Sequence, residues 1–237
     1  MHLLFEQFPA LSAIGICRHV FIQRIPGIDV SHDKGEVLER LDAAHREICN
    51  AIGIGDWPLF TAEQVHGSKI AVVDKVGSAL RADRGRHGVS SLPSHEFPSC
   101  DGIITNQRSV ALGIYVADCC AVYIVDPKTP AIGLAHSGRK GTELGVVTNA
   151  IRQMIKRFGS DPGNMLVHLS PCIRPPHYQV DFAAEIIQQC RALDVQQIHN
   201  SGICTACDLE RYYSYCAEKG KTGRMLALIG LHPTIAN

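Results

Sequence analysis

Three short segments of the sequence each place a potential metal ligand beside small or polar neighbours, in Gln64–Gly67, Ala117–Cys120 and Ala135–Gly138. The potential ligands are His66, Cys119 and His136. Imidazole and thiolate both bind Zn²⁺, and three protein ligands leave the fourth tetrahedral position open for water or substrate. A structural zinc site would supply a fourth protein ligand instead. The three residues therefore predict a catalytic metal site for Zn²⁺, and the same ligand types also accept Cu²⁺.

The residues around Cys119 and His136 favour their placement in one site. An apolar run from Val110 to Ala117 has the length of a buried strand and leads to Cys119, and a second run, Ala131–Ala135, leads to His136. Open α/β sheets place their ligand sites at the carboxyl ends of buried strands. Asp118 is a candidate for orienting the neighbouring ligand or carrying a proton. A simple cap at the end of the strand is the alternative.

The composition indicates a well-packed protein that acts on small molecules. The 237 residues include 23 basic and 23 acidic side chains, so no net charge attracts nucleic acid or anionic lipid. No apolar segment reaches the ~18 residues that indicate a membrane span. Ten cysteines are too few for a disulfide scaffold of this length, and no signal sequence is recognisable, so we expect a cytoplasmic protein. We expect residues 1–237 to form a single domain that is a monomer or a homodimer.

Hydrophobic periodicity predicts both helices and strands. The predicted helices are Ser31–Gly53, Thr142–Phe158, Phe182–Leu193 and Asp208–Lys219. The predicted strands are Leu59–Val65, Lys69–Asp74, Gly102–Thr105, Val110–Val116, Ala121–Val125, Ala131–Ala135, Met165–Leu169, Tyr178–Val180 and Met225–Leu231. The polar, turn-rich segment Lys75–Ser99 is predicted to be a long loop. Several consecutive strands without intervening helices favour an α+β fold with mixed β-sheets.

Seven separated motifs occur in the order that is typical of one protein family: Gln64–Gly67, Cys100–Thr105, Ala117–Cys119, His136–Gly141, Ser170–Ile173, Cys204–Asp208 and Lys221–Arg224. With them the sequence resembles the YfiH-like laccase-domain family, also called multicopper polyphenol oxidase, from about Ile14 to Leu231. The resemblance implies a four-layer α/β/β/α sandwich with mixed β-sheets. It also implies phosphorolysis of adenosine, inosine, guanosine and methylthioadenosine, adenosine deamination in the same pocket, and zinc ligands at His66, Cys119 and His136. Purine nucleosides and phosphate are therefore the expected partners.

Three basic residues are candidates for binding phosphate. Arg46 corresponds to an arginine of the family's first helix, although an arginine is also common on a solvent-exposed helix face. Arg139 and Lys140 lie in the turn after His136, where the family usually has Trp-Arg. This departure puts a guanidinium in place of an aromatic ring and an ammonium in place of a guanidinium. We therefore expect the turn to retain its affinity for anions with less geometric control.

Other functions are compatible with the same residues. The family's other name suggests a copper-dependent polyphenol oxidase, but a multicopper centre needs many histidines and the chain has no His-x-His pair. A cysteine hydrolase would use Cys119 as nucleophile and His136 as base. A non-catalytic metal-binding protein is a further alternative. Cys204 and Cys207 have the spacing of a redox or zinc motif, but without a second pair nearby they are predicted to be structural.

Overall fold

The structure, a computed structural model, describes residues 4–30, 32, 34–74 and 94–233. Two six-stranded sheets form its centre. Sheet A contains, from edge to edge, β1 (Phe5–Glu6), β2 (Cys17–Ile22), β12 (Met225–Leu231), β7 (Ala111–Val116), β3 (Leu59–Ala62) and β5 (Ser94–Phe97). The first four of these strands pair antiparallel, whereas β3 is parallel to both of its neighbours.

Sheet B contains, in the same way, β11 (Gln197–Asn200), β10 (Leu166–Leu169), β8 (Cys120–Asp126), β9 (Ala131–Ser137), β6 (Gly102–Thr105) and β4 (Ile70–Val73). Its outermost pair at each edge is parallel and the inner pairs are antiparallel. The two faces of β8 belong to different cores, one with Ala121, Tyr123 and Val125 and the other with Cys120, Val122 and Ile124. Burial on both faces explains why this strand is apolar throughout.

Helices cover the outer faces of the two sheets. Val37, Leu41 and Ile48 of α2 (Lys34–Ala51) belong to the core of sheet A. The apolar faces of α4 (Val146–Phe158) and α5 (Phe182–Arg191) belong to the core of sheet B. Two short helices are α1 (Pro9–Ile14) and α3 (Arg139–Glu143). The order helix, sheet, sheet, helix confirms the expected α+β sandwich with mixed sheets. No helix in the described part of the chain has the length and apolar character needed to cross a membrane.

Two predicted strands, Gly102–Thr105 and Met225–Leu231, have the expected bounds. The helix predicted for Asp208–Lys219 is wrong, because this segment forms turns. Consecutive residues within it are all buried, namely Tyr212, Tyr213 and Ser214. A helix that packs on one face cannot bury three successive side chains, so the core contacts of this segment favour an irregular backbone.

Further corrections concern shorter segments. The predicted strand Tyr178–Val180 is irregular, since a turn bonds the nitrogen of Tyr178 to the carbonyl of Arg174 at 3.1 Å. The predicted loop Lys75–Ser99 contains β5, which pairs with β3 at the edge of sheet A. Gly145, with φ +70°, interrupts the predicted helix Thr142–Phe158 and separates α3 from α4. Residues 75–93 of that loop, and Ser31 at the predicted start of the first helix, lie outside the described residues.

Candidate active site

The potential ligand atoms of His66, Cys119 and His136 all lie within 4.8 Å of one another. Sγ of Cys119 is 3.9 Å from Nε2 of His66, and the imidazole rings of His66 and His136 have centroids 4.8 Å apart. In a tetrahedral zinc site the sulphur and nitrogen ligands are about 3.6 Å apart, from the usual bond lengths. Small side-chain movements would therefore bring this donor set to the geometry that Zn²⁺ requires.

Three neighbouring segments carry these side chains. His66 lies in the loop after β3 and has φ +59°. Cys119 lies in the turn between β7 and β8, and His136 lies near the end of β9, opposite Ala121 of β8. Because β8 and β9 are antiparallel, the beginning of one and the end of the other meet at the same edge of the sheet. Both residues are thus at strand ends, but through antiparallel pairing rather than the parallel arrangement expected for an open α/β sheet.

Gly138 allows these segments to approach each other closely. A Cβ atom at this position would lie 2.5 Å from Sγ of Cys119 and 3.8 Å from Cδ2 of His66. Its φ of −94° is accessible to any residue, so the requirement for glycine comes from space and not from backbone conformation. Any side chain at position 138 would displace the Cys119 thiol.

A fully buried carboxylate, that of Asp101, orients two of the potential ligands. Its Oδ1 accepts hydrogen bonds from the backbone nitrogen of His66 at 2.8 Å and from Nδ1 of His136 at 2.9 Å, and its Oδ2 accepts one from Gly67 at 2.6 Å. Burial opposes ionisation, but these hydrogen bonds hold the pKa of Asp101 below its usual value. An ionised Asp101 requires the proton of His136 on Nδ1, which leaves Nε2 with a lone pair for a metal ion.

Cys119 favours the protonated thiol in the absence of a directly bound cation. Burial, reinforced by the carboxylate of Asp118, raises the pKa of Cys119 to about 12. A bound metal ion reverses this preference because it stabilises the thiolate directly. Cys119 is therefore well suited to bind a metal ion and poorly suited to act as a free nucleophile.

The same three side chains lie in the wall of a cavity of about 820 Å³. This volume is within the usual range for sites that bind small molecules. Aromatic and basic side chains share the wall, namely Tyr115, Tyr178, Phe182, Tyr215, Arg139, Lys140 and Arg224. Flat apolar surfaces beside positive charge suit a ligand with an aromatic ring and an anionic group.

Comparison with known proteins agrees with this architecture. The family model described as "Multi-copper polyphenol oxidoreductase laccase" matches residues 18–186 and 178–232. The chain belongs to this laccase-domain family. Purine nucleoside phosphorylase YlmD of Bacillus subtilis is 28% identical over 72% of this chain and 69% of its own length, and the protein of that name from Geobacillus stearothermophilus is 28% identical over 86% and 82%. The crystal structure of Geobacillus stearothermophilus YlmD has the same fold, with a TM-score of 0.76, 23% identity and coverage of 97% and 99%.

Two of the three predicted phosphate-binding residues of this laccase-domain chain line the cavity. Arg139 and Lys140 begin α3, and Nε of Arg139 lies 2.9 Å from Oε1 of Glu143. Arg46 is outside the residues that line the cavity, and its Nη2 lies 3.2 Å from Oδ2 of Asp42 on the same helix. The structure therefore places Arg139 and Lys140, but not Arg46, in the cavity wall that contains the potential metal ligands.

Asp118 lines the cavity, but its carboxylate is engaged by protein donors. Oδ1 accepts a hydrogen bond from the Thr205 hydroxyl at 2.7 Å, and Oδ2 accepts one from the backbone nitrogen of Cys216 at 2.7 Å. The residue has φ +82°, a conformation that aspartate tolerates better than most residues. Asp118 thus connects the turn that contains Cys119 to segment 205–216, which begins with the 3₁₀ helix Thr205–Cys207.

The sequence analysis missed two residues of the site, Asp101 and Arg224. Both belong to motifs that support the family resemblance, Cys100–Thr105 and Lys221–Arg224. Each is a charged residue directly before an apolar strand, and this position in the sequence could have marked it as a candidate site residue. The guanidinium of Arg224 is partly withdrawn from water, and this burial lowers its pKa.

Proposed function

We propose that this chain is a zinc-dependent purine nucleoside phosphorylase that acts on adenosine, inosine, guanosine and methylthioadenosine and also deaminates adenosine. The observation that supports the proposal is the position of His66, Cys119 and His136 in the wall of a cavity that also contains basic and aromatic side chains. The names of the curated relatives supply the substrate class.

The donor set favours Zn²⁺ over a multicopper centre. One thiolate and two imidazoles are common zinc ligands, and Asp101 provides the hydrogen bond that zinc-bound histidines usually make. Bound Zn²⁺ would supply a Lewis acid with one open coordination position. Copper accepts the same ligand types, but only two histidines, His66 and His136, are among the described residues that line the cavity.

Phosphorolysis requires a phosphate ion beside C1′ of the ribose while the purine leaves with increasing negative charge. Arg139 and Lys140 are proposed to provide positive charge for the phosphate. The rings of Tyr178, Phe182 and Tyr215 are proposed to contact the purine, because aromatic rings bury flat heterocycles at low entropic cost. Arg46 has no part in this proposal, since it pairs with Asp42 outside the cavity wall.

Asp118 is proposed to position the cavity wall rather than carry a proton. Both of its oxygens already accept hydrogen bonds, from Thr205 and from the backbone of Cys216. A carboxylate held in this way orders the neighbouring segment, and both of its oxygens are already engaged by protein donors.

Product analysis tests the proposal directly. Zinc-loaded, copper-free protein is incubated with inosine or adenosine, with and without phosphate. Hypoxanthine and ribose 1-phosphate are expected from inosine only when phosphate is present, and inosine with ammonia is expected from adenosine in its absence. Cys119→Ser is expected to lose zinc and both activities, whereas Cys207→Ser, at an exposed cysteine outside the cavity wall, is the matched control.

Three results would contradict the proposal. Free ribose from inosine without phosphate would indicate a hydrolase. Oxygen consumption with phenols by the copper-loaded protein, together with no turnover of nucleosides by the zinc form, would indicate the oxidase that the family description names. Full zinc content and activity in Cys119→Ser would exclude this residue as a ligand.

A further inference from the structure

The wall of the cavity carries more positive than negative charge. It contains three basic side chains, Arg139, Lys140 and Arg224, and two carboxylates, Asp118 and Glu143. Glu143 pairs with Arg139, and the carboxylate of Asp118 accepts two hydrogen bonds from other groups. No carboxylate of the described residues lies within ion-pair distance of Lys140 or Arg224, and the charge of Asp118 acts on Arg224 only from a greater distance.

Arg224 differs from the other two cations in its burial. Arg139 and Lys140 are exposed, whereas Arg224 is only partly accessible to water. A cation that is partly withdrawn from water and contacts no carboxylate is costly, and an anionic ligand would reduce that cost. This arrangement is unfavourable for stability alone and therefore indicates a binding role.

The guanidinium of Arg224 is held with part of its hydrogen-bonding capacity unused. Nη1 donates to the carbonyl oxygens of Thr222 at 3.1 Å and Gly223 at 2.8 Å, and the guanidinium carbon lies 5.9 Å from the centroid of the Tyr215 ring. Nε and Nη2 have no acceptor among the residues that the structure describes. A planar guanidinium with two such nitrogens matches the geometry of phosphate oxygens.

The register of sheet A places Arg224 close to the metal ligands. Arg224 directly precedes β12, and Met225, the first residue of that strand, pairs with Val116 at the end of β7. The backbone of Arg224 therefore lies beside the turn that contains Cys119. Arg139, by contrast, lies at the start of α3, directly after Gly138.

A network around Glu218 fixes the segment that carries Arg224. The Glu218 carboxylate accepts hydrogen bonds from Nη2 of Arg24 at 2.6 Å, the Thr222 hydroxyl at 2.6 Å and the backbone nitrogen of Ser214 at 3.0 Å. Such charge-assisted hydrogen bonds restrict the movement of the segment. Arg224 is thus presented to the cavity by a rigid support.

From these observations we infer that Arg224 binds the phosphate ion in the cavity, next to the potential metal ligands. The inference rests on the proposed function for the identity of the anion and assigns the main phosphate contact to a residue that the proposal did not include. Arg139 and Lys140, which are more exposed, then contribute a weaker and more general attraction for anions.

Calorimetric titration of inorganic phosphate into the zinc-loaded full chain tests this inference without turnover. Arg224→Gln is expected to weaken phosphate binding on the order of thirty-fold or more, the usual effect of removing one partner of a charged hydrogen-bonded pair. Arg224→Lys keeps the charge but loses the planar fork, so its loss should be smaller. Arg157→Gln removes an exposed charge on α4, outside the cavity wall, and is expected to bind phosphate as the wild type does.

A second measurement needs no variant at Arg224. Phosphate should protect Arg224 of the wild-type protein from modification by phenylglyoxal, detected by mass spectrometry of peptides, while Arg157 is modified equally with and without phosphate. Equal modification of Arg224 in both conditions, unchanged phosphate affinity in Arg224→Gln, or no phosphate binding by the wild type would each overturn the inference.

Product analysis separates the inference from the proposed function. Phosphate binding that depends on Arg224, in a protein that forms no ribose 1-phosphate from any purine nucleoside, would contradict the function and support the inference. Formation of ribose 1-phosphate with the same KM for phosphate in the wild type and in Arg224→Gln would support the function and contradict the inference.

Discussion

Nδ1 of His136 lies 2.9 Å from Oδ1 of Asp101, and this contact joins a buried carboxylate to a potential metal ligand. The same carboxylate also accepts hydrogen bonds from the backbone of His66 and Gly67. One residue therefore fixes the tautomer of one imidazole and the backbone of the loop that carries the other. Asp101 thus holds the potential ligands His66 and His136 in a defined arrangement.

Asp101→Asn should weaken zinc binding by about tenfold to a hundredfold, because an amide is a poorer acceptor and its NH₂ group faces donors. Competition with a chromophoric chelator measures this affinity. Asp126→Asn is the matched control, since Asp126 is equally buried but, among the described residues, accepts hydrogen bonds only from the β8–β9 turn, at Lys128 and Thr129. Equal zinc affinity in the two variants would contradict the role assigned to Asp101.

Gly138→Ala tests whether the close packing against Cys119 is required. The added Cβ would lie 2.5 Å from Sγ of Cys119, so the thiol must move away from the two imidazoles. Zinc content and nucleoside turnover should both fall, with a smaller effect on thermal stability. Gly163→Ala serves as control, because there the nearest atom to the new Cβ would be Oδ1 of Asp161 at 3.4 Å. A Gly138→Ala protein with full zinc content would show that the site adapts to the added methyl group.

The potential metal ligands could be proposed from the sequence because their signal is local. Cys119 and His136 each follow an uninterrupted apolar run, and such a run indicates a buried strand whatever its partners are. The strand β2 was missed because its sequence contains Arg18 and His19, which obscure the apolar pattern. Its burial comes from pairing with β12, a contact between the two ends of the chain.

The role inferred for Arg224 could not be predicted for a related reason. A basic residue before a strand is common, and only the pairing of Met225 with Val116 brings it to the turn that contains Cys119. Arg46 illustrates the converse case. Family resemblance made it a candidate, but the position of α2 leaves its side chain outside the cavity wall, where it pairs with Asp42 one turn earlier in the helix. Register and helix placement depend on distant residues, which local patterns do not encode.

Asp118→Asn should separate metal binding from the order of the cavity wall. Asparagine also tolerates the positive φ of this position, so the turn should keep its backbone conformation. The amide has one oxygen, so it loses either the hydrogen bond from the nitrogen of Cys216 or the charge-assisted hydrogen bond from the Thr205 hydroxyl. We expect unchanged zinc content, faster amide hydrogen exchange in residues 205–216, and lower kcat/KM for nucleosides. A proportional loss of zinc would instead make Asp118 a direct support of the metal site.

Three buried histidines should make the protein less stable as the pH falls. Burial lowers the pKa of His19, His45 and His168 from 6.5 to about 4. Above pH 6.5 these histidines are mostly neutral in both the folded and the unfolded protein. Between pH 6.5 and 4 the histidines of the unfolded chain bind protons, whereas those of the folded chain stay neutral. By linkage, each histidine then removes up to about 3 kcal/mol from the free energy of unfolding. Urea unfolding of metal-free protein at pH 7.5 and pH 5 measures this loss.

The variant His168→Phe assigns part of that pH dependence to one residue. The His168 ring stacks on Phe8 at a centroid distance of 4.0 Å, and its buried Nδ1 has no hydrogen-bond partner among the described residues. A phenyl ring can keep the stacking without a titrating group, so the difference in stability between pH 7.5 and pH 5 should fall by about a third. His177→Asn, at an exposed position, should leave that difference unchanged. If His168→Phe retained the full pH dependence, the loss of stability in acid would have to come from other groups.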